Sequence, residues 1–295
     1  MGKLYKRIVY GLKRRDMLKW VSDKTFIKMV YRAKFNRKLN LKNPVTFNEK
    51  LQWLKLNDYK PIYAKMVDKY EAKKYVADII GEEYIIPTYG VYSNFDEINF
   101  DALPNQFVIK CTHDSGGLVI CKDKSNFDKE GSREKIEKCL KRNYFNEGRE
   151  PVYKEVIPRI IVEKYMENKD GSSIEDYKIF CFHGEPKIMY ISNNSHTVNQ
   201  SIAFFDMDYN LLDIEREDYK KMDVIPERPK NFEKMKEFSK ILSKDTPHLR
   251  VDWYEINGHL YFGELTFITC SGLIPFKNIE DDKLLGSYLD LKKIQ

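Results

Sequence analysis

Two pairs of polar residues near position 260 have the types and the spacing that metal and phosphate chemistry requires. Arg250 and Asp252 precede the dipeptide Asn257–Gly258, and Glu264 and Thr266 follow it. Asn-Gly favours a tight hairpin, and residues two apart on a strand share a face, so we expect Asp252 nearly opposite Glu264. Two such carboxylates could chelate Mg²⁺ on phosphate oxygens, while Arg250 stabilises charge on a transferred phosphoryl group. The alternative is a solvent-facing polar surface with a cross-strand ion pair.

A lysine at the end of a predicted strand precedes a glycine-rich turn. Lys110 closes the apolar run 106–110, and Ser115, Gly116 and Gly117 follow it. A lysine in this position can direct its ammonium group toward phosphates, and the glycines let backbone N–H groups approach the same anion closely. An ordinary hairpin turn has the same composition, so both interpretations remain open.

Two further strand ends carry charged residues. The apolar run 160–162 leads into Glu163, Lys164 and Tyr165, where backbone groups could be presented to a purine. Lys178 lies near the start of the next predicted strand and could supply a second cation for phosphates. For each segment the alternative is a strand that simply leaves the core into polar residues.

The periodicity of the chain predicts the elements that must position these residues. Helical spacing of apolar residues is found at 3–20, 46–56, 65–80, 132–145 and 231–243. Strand patterns are found within 106–122, 159–166, 176–192, 201–206, 211–214 and 250–267. Thr46 and Glu49 have the spacing of a capping box at a helix start. Since helices come first and antiparallel strands interleaved with helices follow, the fold class is α+β.

Composition excludes several classes of protein. The chain has 295 residues, 33% of them charged, and no apolar run approaches the roughly 18 to 20 residues of a membrane-spanning helix. The amino terminus lacks the apolar core of a signal peptide, so a cytoplasmic location is expected. The five cysteines form no CxxC pair, which argues against a zinc knuckle or a disulfide framework.

Charge is distributed unevenly along the chain. Residues 1–60 contain 17 Lys or Arg and 4 Asp or Glu, a net +13, whereas the rest contains 34 and 41, a net −7. An acidic partner is therefore expected for the N-terminal segment. Residues 3–20 form a basic amphipathic helix, which could lie on an anionic membrane or near a lipid-linked substrate. The alternative is a helix that docks on its own domain.

Taken in order, these segments resemble the ATP-grasp superfamily. More narrowly, TFNEKLQWLKL, VDKYEAKKYV, PNQFVIKCTHDSGG, RIIVEKYM, DYKIFCFHGEPK and RVDWYEINGHLYFGELTF are similar to the TupA-like ATP-grasp family. The resemblance spans about residues 43–275, and that family is associated with cell-surface polysaccharides. It implies a basic helical segment over 1–45 and a helical and extended N-terminal part of the ATP-grasp module over 46–105. The lid subdomain would follow over 106–165, and the C-terminal subdomain with the Mg²⁺ site over 166–295.

The resemblance also implies roles for individual residues, with ATP and Mg²⁺ as cofactors. Lys110 would contact the α- and β-phosphates beneath a lid of Ser115, Gly116 and Gly117. The adenine hinge would comprise Glu163, Lys164 and Tyr165. Lys178 would be a further phosphate contact, and either Lys69 or Lys73 the nucleotide-facing lysine before the lid. The metal ligands would be Asp252, Glu264 and Thr266, with Arg250 beside the acyl-phosphate oxygens.

Three positions depart from the pattern of that family. Thr266 stands where asparagine is common, which leaves the third metal ligand open. The segment 268–272 reads Ile-Thr-Cys-Ser-Gly rather than containing a Pro-Gly turn. Asp114 lies in the phosphate loop, where its carboxylate would repel phosphates unless it points away or binds metal.

The function implied is that of an ATP-dependent carboxylate–amine ligase with an acyl-phosphate intermediate. By family analogy the carboxylate belongs to a uronic acid of a surface polysaccharide, and the amine to an amino acid. The main alternative is a glycosyltransferase, because Asp206-Met207-Asp208 is a DxD motif that could hold a metal with a nucleotide sugar. Nucleic-acid binding through the basic N-terminus is a third interpretation, which rests on charge alone. It is not the one we favour, so we expect no nucleic-acid partner.

Overall fold

The computed structural model describes residues 2–193 and 200–294. The helices are α1 (Gly2–Arg14), α2 (Asp23–Phe35), α3 (Phe47–Asn57), α4 (Pro61–Val67), α5 (Glu71–Ile80), α6 (Lys129–Leu140), α7 (Phe145–Gly148), α8 (Phe232–Ser243) and α9 (Ile279–Tyr288). The strands are β1 (Thr88–Tyr92), β2 (Phe107–Cys111), β3 (Leu118–Cys121), β4 (Ile160–Lys164), β5 (Asp176–Phe182), β6 (Glu185–Asn193), β7 (Ser201–Asp206), β8 (Leu211–Leu212), β9 (Lys220–Lys221), β10 (His248–Ile256) and β11 (His259–Thr266). The fold is α+β, as predicted.

Helix starts follow local hydrogen-bonding chemistry. The predicted capping box is confirmed at α3, where the Thr46 hydroxyl accepts from the Glu49 N–H at 3.2 Å and the Glu49 carboxylate accepts from the Thr46 N–H. The single helix expected over 65–80 is instead two helices, α4 and α5. The break arises because the Asp68 carboxylate accepts from the N–H groups of Tyr70 and Glu71, which starts a new helix.

A small antiparallel sheet has the strand order β1-β4-β2-β3. Its buried face packs on α6 around Phe107, Ile109, Ile136 and Val162. Since β1 pairs with β4, this sheet begins before residue 106, the boundary that the resemblance implies for the lid.

A larger sheet has the order β11-β10-β5-β6-β7-β8, with β9 paired to β7. One face packs on α8, where the Trp253 indole N–H donates to the Ser239 hydroxyl at 2.8 Å. The opposite face is aromatic where α3 covers it, since Phe47 packs edge-on against Phe182 and His248. Beyond α3 the same face carries charged side chains.

The hairpin of β10 and β11 turns at Asn257–Gly258, as predicted, and both turn residues have positive φ. Trp253 pairs with Phe262, but a bulge at Gly263 then shifts the register so that Asp252 pairs with Glu264. Without the bulge, Glu264 would project toward the α8 side of the sheet. A Cβ at Gly263 would lie 2.9 Å from the Asp252 carbonyl oxygen, so this close approach favours glycine.

The N-terminal helices form a separate apolar cluster, to which α1 contributes the buried Val9. Leu4 and Ile8 of the same helix are 65% and 51% exposed. One face of α1 therefore docks on its own domain, and contact of the other face with an anionic membrane stays a prediction. Among the residues that the structure describes, no helix is both long and apolar enough to cross a membrane.

Candidate nucleotide and metal site

A cleft of about 430 Å³ lies between the two sheets. Its lid side is apolar, with Val108, Leu118 and Ile120, and the larger sheet contributes Tyr254 and Ile256. Four of the residues predicted to contact nucleotide line this cleft: Lys110, Glu163, Lys164 and Tyr165. An apolar cleft with a few polar groups at its edge has the character of a small-molecule binding site, and its occupation by a purine stays a prediction.

Glu163 joins two lysines at one end of the cleft. Its carboxylate contacts the Lys110 ammonium at 2.6 Å and also contacts that of Lys73. Burial alone would raise the pKa of Glu163, but Lys110 and Lys73 lower it to about 2. The carboxylate therefore remains ionised and orients both ammonium groups.

This geometry narrows the hinge assignment. The Glu163 side chain, at the edge of the cleft, is occupied by two lysines, and its backbone lies in β4, a central strand of the small sheet. The Lys164 N–H donates to the Pro87 carbonyl at 2.9 Å. Backbone that could read a purine thus begins at Tyr165, because β4 ends at Lys164.

Lys69 and Lys73, between which the sequence did not decide, lie at different parts of the site. Lys73 contacts Glu163 and donates to the Ile86 carbonyl at 2.7 Å. Lys69 donates instead to the Asp114 carbonyl of the glycine-rich loop. Lys69, which lies between α4 and α5, therefore reaches the glycine-rich loop, whereas Lys73, on α5, does not.

The glycine-rich loop binds its own carboxylate. The N–H groups of Gly116 and Gly117 donate to Asp114 at 3.1 and 2.8 Å, and Arg142 lies 3.6 Å from the other Asp114 oxygen. The Ser115 hydroxyl lies 2.9 Å from that of Tyr144. Asp114 therefore points inward, and these N–H groups can contact a phosphate only if its carboxylate moves. Phosphate binding by the loop stays a prediction.

The charged face of the larger sheet brings together the residues predicted for catalysis and metal binding. The Arg250 guanidinium contacts Asp252 at 2.6 Å and Glu264 at 2.8 Å. The Lys178 ammonium lies 2.6 Å from Asp252, and the Thr266 hydroxyl 3.3 Å from Glu264. The juxtaposition expected from sequence is thus confirmed by the structure, whereas the metal role stays a prediction.

The surroundings of two carboxyl groups near this face, Glu264 and Asp176, shift their pKa values in opposite directions. Burial opposes ionisation of Glu264, but Arg250 and then Lys69 lower its pKa to about 2. Burial raises the pKa of Asp176 to about 6, although Lys178 at 2.5 Å opposes that shift. One oxygen of Asp176 is buried without a hydrogen-bond partner among residues 2–193 and 200–294.

Asp176 is a site residue that the sequence interpretation missed. It lines the cleft and also contacts Lys178, so it connects the cleft to the charged face. Its position two residues before Lys178 on β5 was a usable signal, because both side chains must share a face.

Tyr144 and Tyr153 were also missed. Their rings pack edge-on at 4.7 Å, and burial and then nearby carboxylates, including Glu264, raise the pKa of the Tyr153 hydroxyl.

The residues of this face fit a magnesium ion held together with phosphates. Within the described chain, no group of three or more His, Cys, Asp or Glu side chains could hold a metal. Mg²⁺ commonly takes one or two carboxylates and completes its shell with water and substrate phosphates. Asp252 and Glu264 match that donor set, so an ion here would require the nucleotide.

The Asp206-Met207-Asp208 motif has a local structural role instead. Both Asp206 oxygens accept hydrogen bonds within the turn after β7, including those from the Asp208 N–H at 2.9 Å and the Asn210 amide at 2.9 Å. These bonds explain the Asp-rich composition as turn chemistry. They give no support to the glycosyltransferase alternative.

Two sheets that enclose a cleft, with lysines on the lid and paired carboxylates on the larger sheet, form the arrangement expected of an ATP-grasp, ligase-like protein. The sequence model of the family described as TupA-like ATPgrasp matches residues 49–290. The chain belongs to this family, as the resemblance indicated. A comparison with curated proteins gives no match.

Several solved structures of ligases are found in a structural comparison with this chain. A D-alanine–D-alanine ligase from Bacillus anthracis complexed with ATP is 19% identical, with a TM-score of 0.37, 68% of this chain covered and 53% of the ligase. The ATP-grasp ligase PsnB, complexed with a variant of its minimal precursor, Mg and ADP, is 10% identical, with a TM-score of 0.46 and coverage of 95% and 73%. An L-amino acid ligase from Bacillus licheniformis is 9% identical, with a TM-score of 0.41 and coverage of 89% and 53%. The chain thus spans about half the length of the first of these, and its family membership rests on the sequence match.

Replacing Lys110 tests the lid end of the cleft. We expect Lys110→Ala to weaken ATP binding roughly ten- to a hundredfold, because a charge-assisted contact to phosphate is lost. Affinity for adenosine, which lacks phosphates, should be unchanged. Calorimetric titration of both ligands would measure this, with Lys187→Ala as a control on an exposed position of β6. Unaltered ATP affinity would count against the lid assignment.

Proposed function

We propose that this protein is an ATP-dependent ligase that activates a carboxylate as an acyl phosphate and transfers the acyl group to an amine, with release of ADP. The observation that carries the proposal is the placement of two charged groups about one cleft. Lys110 and Lys73 contact Glu163 at one end, and Asp176, which lines the same cleft, contacts Lys178, which in turn contacts Asp252. A triphosphate placed along this cleft would meet cations on the lid and carboxylates at its far end.

The charged face supplies alignment and charge neutralisation. A substrate carboxylate oxygen attacks the γ-phosphorus, the bond to the β-phosphate bridging oxygen breaks, and ADP leaves. The Arg250 guanidinium, fixed by Asp252 and Glu264, is placed to stabilise charge on the transferred group. Bound Mg²⁺ would neutralise phosphate charge and help to align the reacting oxygens.

The second step replaces phosphate by the amine. The amine nitrogen attacks the acyl carbon, the bond from that carbon to the phosphate oxygen breaks, and the amine loses a proton. A carboxylate is a poor electrophile until its oxygen becomes a leaving group, which is why ATP is consumed first. By the family's association with surface polysaccharides, we propose a uronic acid as the carboxylate and an amino acid as the amine.

An ADP-release screen tests this function. Purified protein with ATP and Mg²⁺ is incubated with pooled uronic acids, with pooled amino acids, and with both. We expect sustained ADP formation only when both pools are present. Release with uronic acids alone, at the same rate and with formation of a stable phosphate ester, would identify a kinase and contradict the ligase. A thermal shift with UDP-sugar and Mn²⁺ but not with ATP and Mg²⁺ would favour the glycosyltransferase.

A further inference from the structure

A second and larger hollow lies on the outside of the lid. It has a volume of about 800 Å³, within the range of roughly 300–1,000 Å³ that is typical of ligand pockets. We call it the basic groove. One wall comes from the N-terminal segment and the other from the end of α6 through α7; its lining is Tyr10, Lys13, Arg14, Asp16, Lys19, Lys138, Lys141, Arg142, Asn143, Asn146 and Glu147.

The basic groove carries more positive charge than its own acids neutralise. Six of its residues are Lys or Arg, and two are Asp or Glu. Glu147 pairs with Lys13 at 3.1 Å and with Arg142 at 3.3 Å. Lys138 and Lys141 are exposed and form no ion pair with any residue in 2–193 or 200–294. An anionic ligand would therefore gain cations that have no competing partner.

The two walls are joined by buried contacts, so the groove is part of the fold. Arg149, which is 5% exposed, donates to the carbonyls of Leu18 and Lys19 at 3.0 Å. Its guanidinium also lies over the Phe26 ring at 5.0 Å. These contacts tie the chain after α7 to the N-terminal segment, so that both walls belong to one packed structure.

Arg142 connects the basic groove to the glycine-rich loop. Arg142 lines the groove and lies 3.6 Å from Asp114, and a Cβ on Gly116 would be 3.1 Å from its guanidinium. Tyr144, two residues later, faces the other way and contacts Ser115. The segment 141–147 therefore lies between the groove and the glycine-rich loop.

We propose that the basic groove binds an acidic oligosaccharide, the extended acceptor whose terminal carboxylate is ligated; this rests on the proposed function. Arg and Lys suit sugar carboxylates, and the amides of Asn143 and Asn146 with the Tyr10 hydroxyl suit sugar hydroxyls. A membrane surface is flat and would not enter a recess between two helical walls. The groove thus recognises the chain behind the reacting unit.

Binding of fluorescently labelled oligogalacturonate, measured by anisotropy at low and high salt, tests this proposal. Lys138→Ala with Lys141→Ala should weaken binding roughly tenfold at low salt, and less as salt screens the charges. Arg7→Ala with Arg15→Ala removes the same charge from another hollow on α1 and should change affinity less than twofold. Equal weakening by both pairs, or by neither, overturns the proposal. Tighter binding of a DNA duplex with equal charge, lost only in the groove variant, also overturns it.

Turnover separates this inference from the proposed function. With active wild-type protein, the groove variant should raise KM for oligogalacturonate at least fivefold and leave KM for ATP and for monomeric galacturonate unchanged. An equal rise in KM for the monomer would place these lysines at the reacting unit and overturn the proposal. If the wild type forms no ADP but the groove variant still loses oligosaccharide binding, the ligase proposal and the acceptor role fail, and only the binding of an acidic oligosaccharide by the groove stands.

Discussion

Glu264→Gln is expected to reduce ADP formation by roughly a hundred- to a thousandfold while the protein remains folded. The glutamine amide has the same shape as the carboxylate. Its oxygen can still accept from the Arg250 guanidinium, which lies 2.8 Å from Glu264 in the wild-type protein. It lacks the negative charge that Mg²⁺ requires. Glu264 is half-buried at the sheet edge, and Arg250 keeps Asp252 as a partner in this variant, so no buried charge is left unpaired and we expect the fold to be retained.

The measurement is the Mg²⁺ dependence of ADP release at saturating ATP. The variant should need more Mg²⁺ for half-maximal rate, because one of its two carboxylate donors is gone. Glu185→Gln serves as the control, since Glu185, on β6 of the same sheet, forms an exposed pair with Lys240 of α8. Unchanged turnover and Mg²⁺ dependence would remove Glu264 from the site.

Arg250→Lys should lower kcat by roughly a hundredfold or more, with little effect on KM for ATP. The guanidinium contacts Asp252 through two nitrogens, at 2.6 and 2.7 Å, and reaches Glu264 with one of them. A lysine keeps the charge, so neither carboxylate is left unneutralised, but a single ammonium cannot hold this geometry. The loss should therefore fall on the step in which charge develops.

Single-turnover kinetics and thermal melting together distinguish the possible roles of Arg250. A group that acts on the transferred phosphoryl lowers the single-turnover rate, whereas a purely structural group lowers the melting temperature without altering that rate. Arg228→Lys is a matched control, because Arg228 forms an exposed pair with Glu233 outside the cleft. A normal rate in Arg250→Lys would assign this arginine to structure alone.

Sequence was most informative where local rules decide the structure. The Asn257–Gly258 turn and the spacing of two along each strand placed Asp252 and Glu264 together, as the register confirms. The bulge that completes this pairing was not predictable, because a glycine within a strand, such as Gly263, can occur without a bulge. Likewise, the break between α4 and α5 depends on which N–H groups the Asp68 side chain contacts.

Contacts between distant parts of the chain could not be predicted from the sequence patterns. Lys55 donates to the carbonyls of Gly148 and Ser271 at 2.7 and 2.8 Å, and no spacing rule links these three positions. Cys270 and Ser271 adopt positive φ there, a conformation that their residue types do not favour. The segment that replaces the expected Pro-Gly turn is therefore held by long-range hydrogen bonds rather than by its own residue types.

The Asp114 carboxylate occupies the position at which the glycine-rich loop is predicted to bind phosphate. It accepts hydrogen bonds from both glycine N–H groups, as a phosphate oxygen would. Entry of a phosphate group at these amides would then require the Asp114 carboxylate to turn away, so that one anion replaces another as the acceptor of these hydrogen bonds. Nucleotide capture by this route would be controlled by the rotation of one side chain rather than by the folding of a disordered flap.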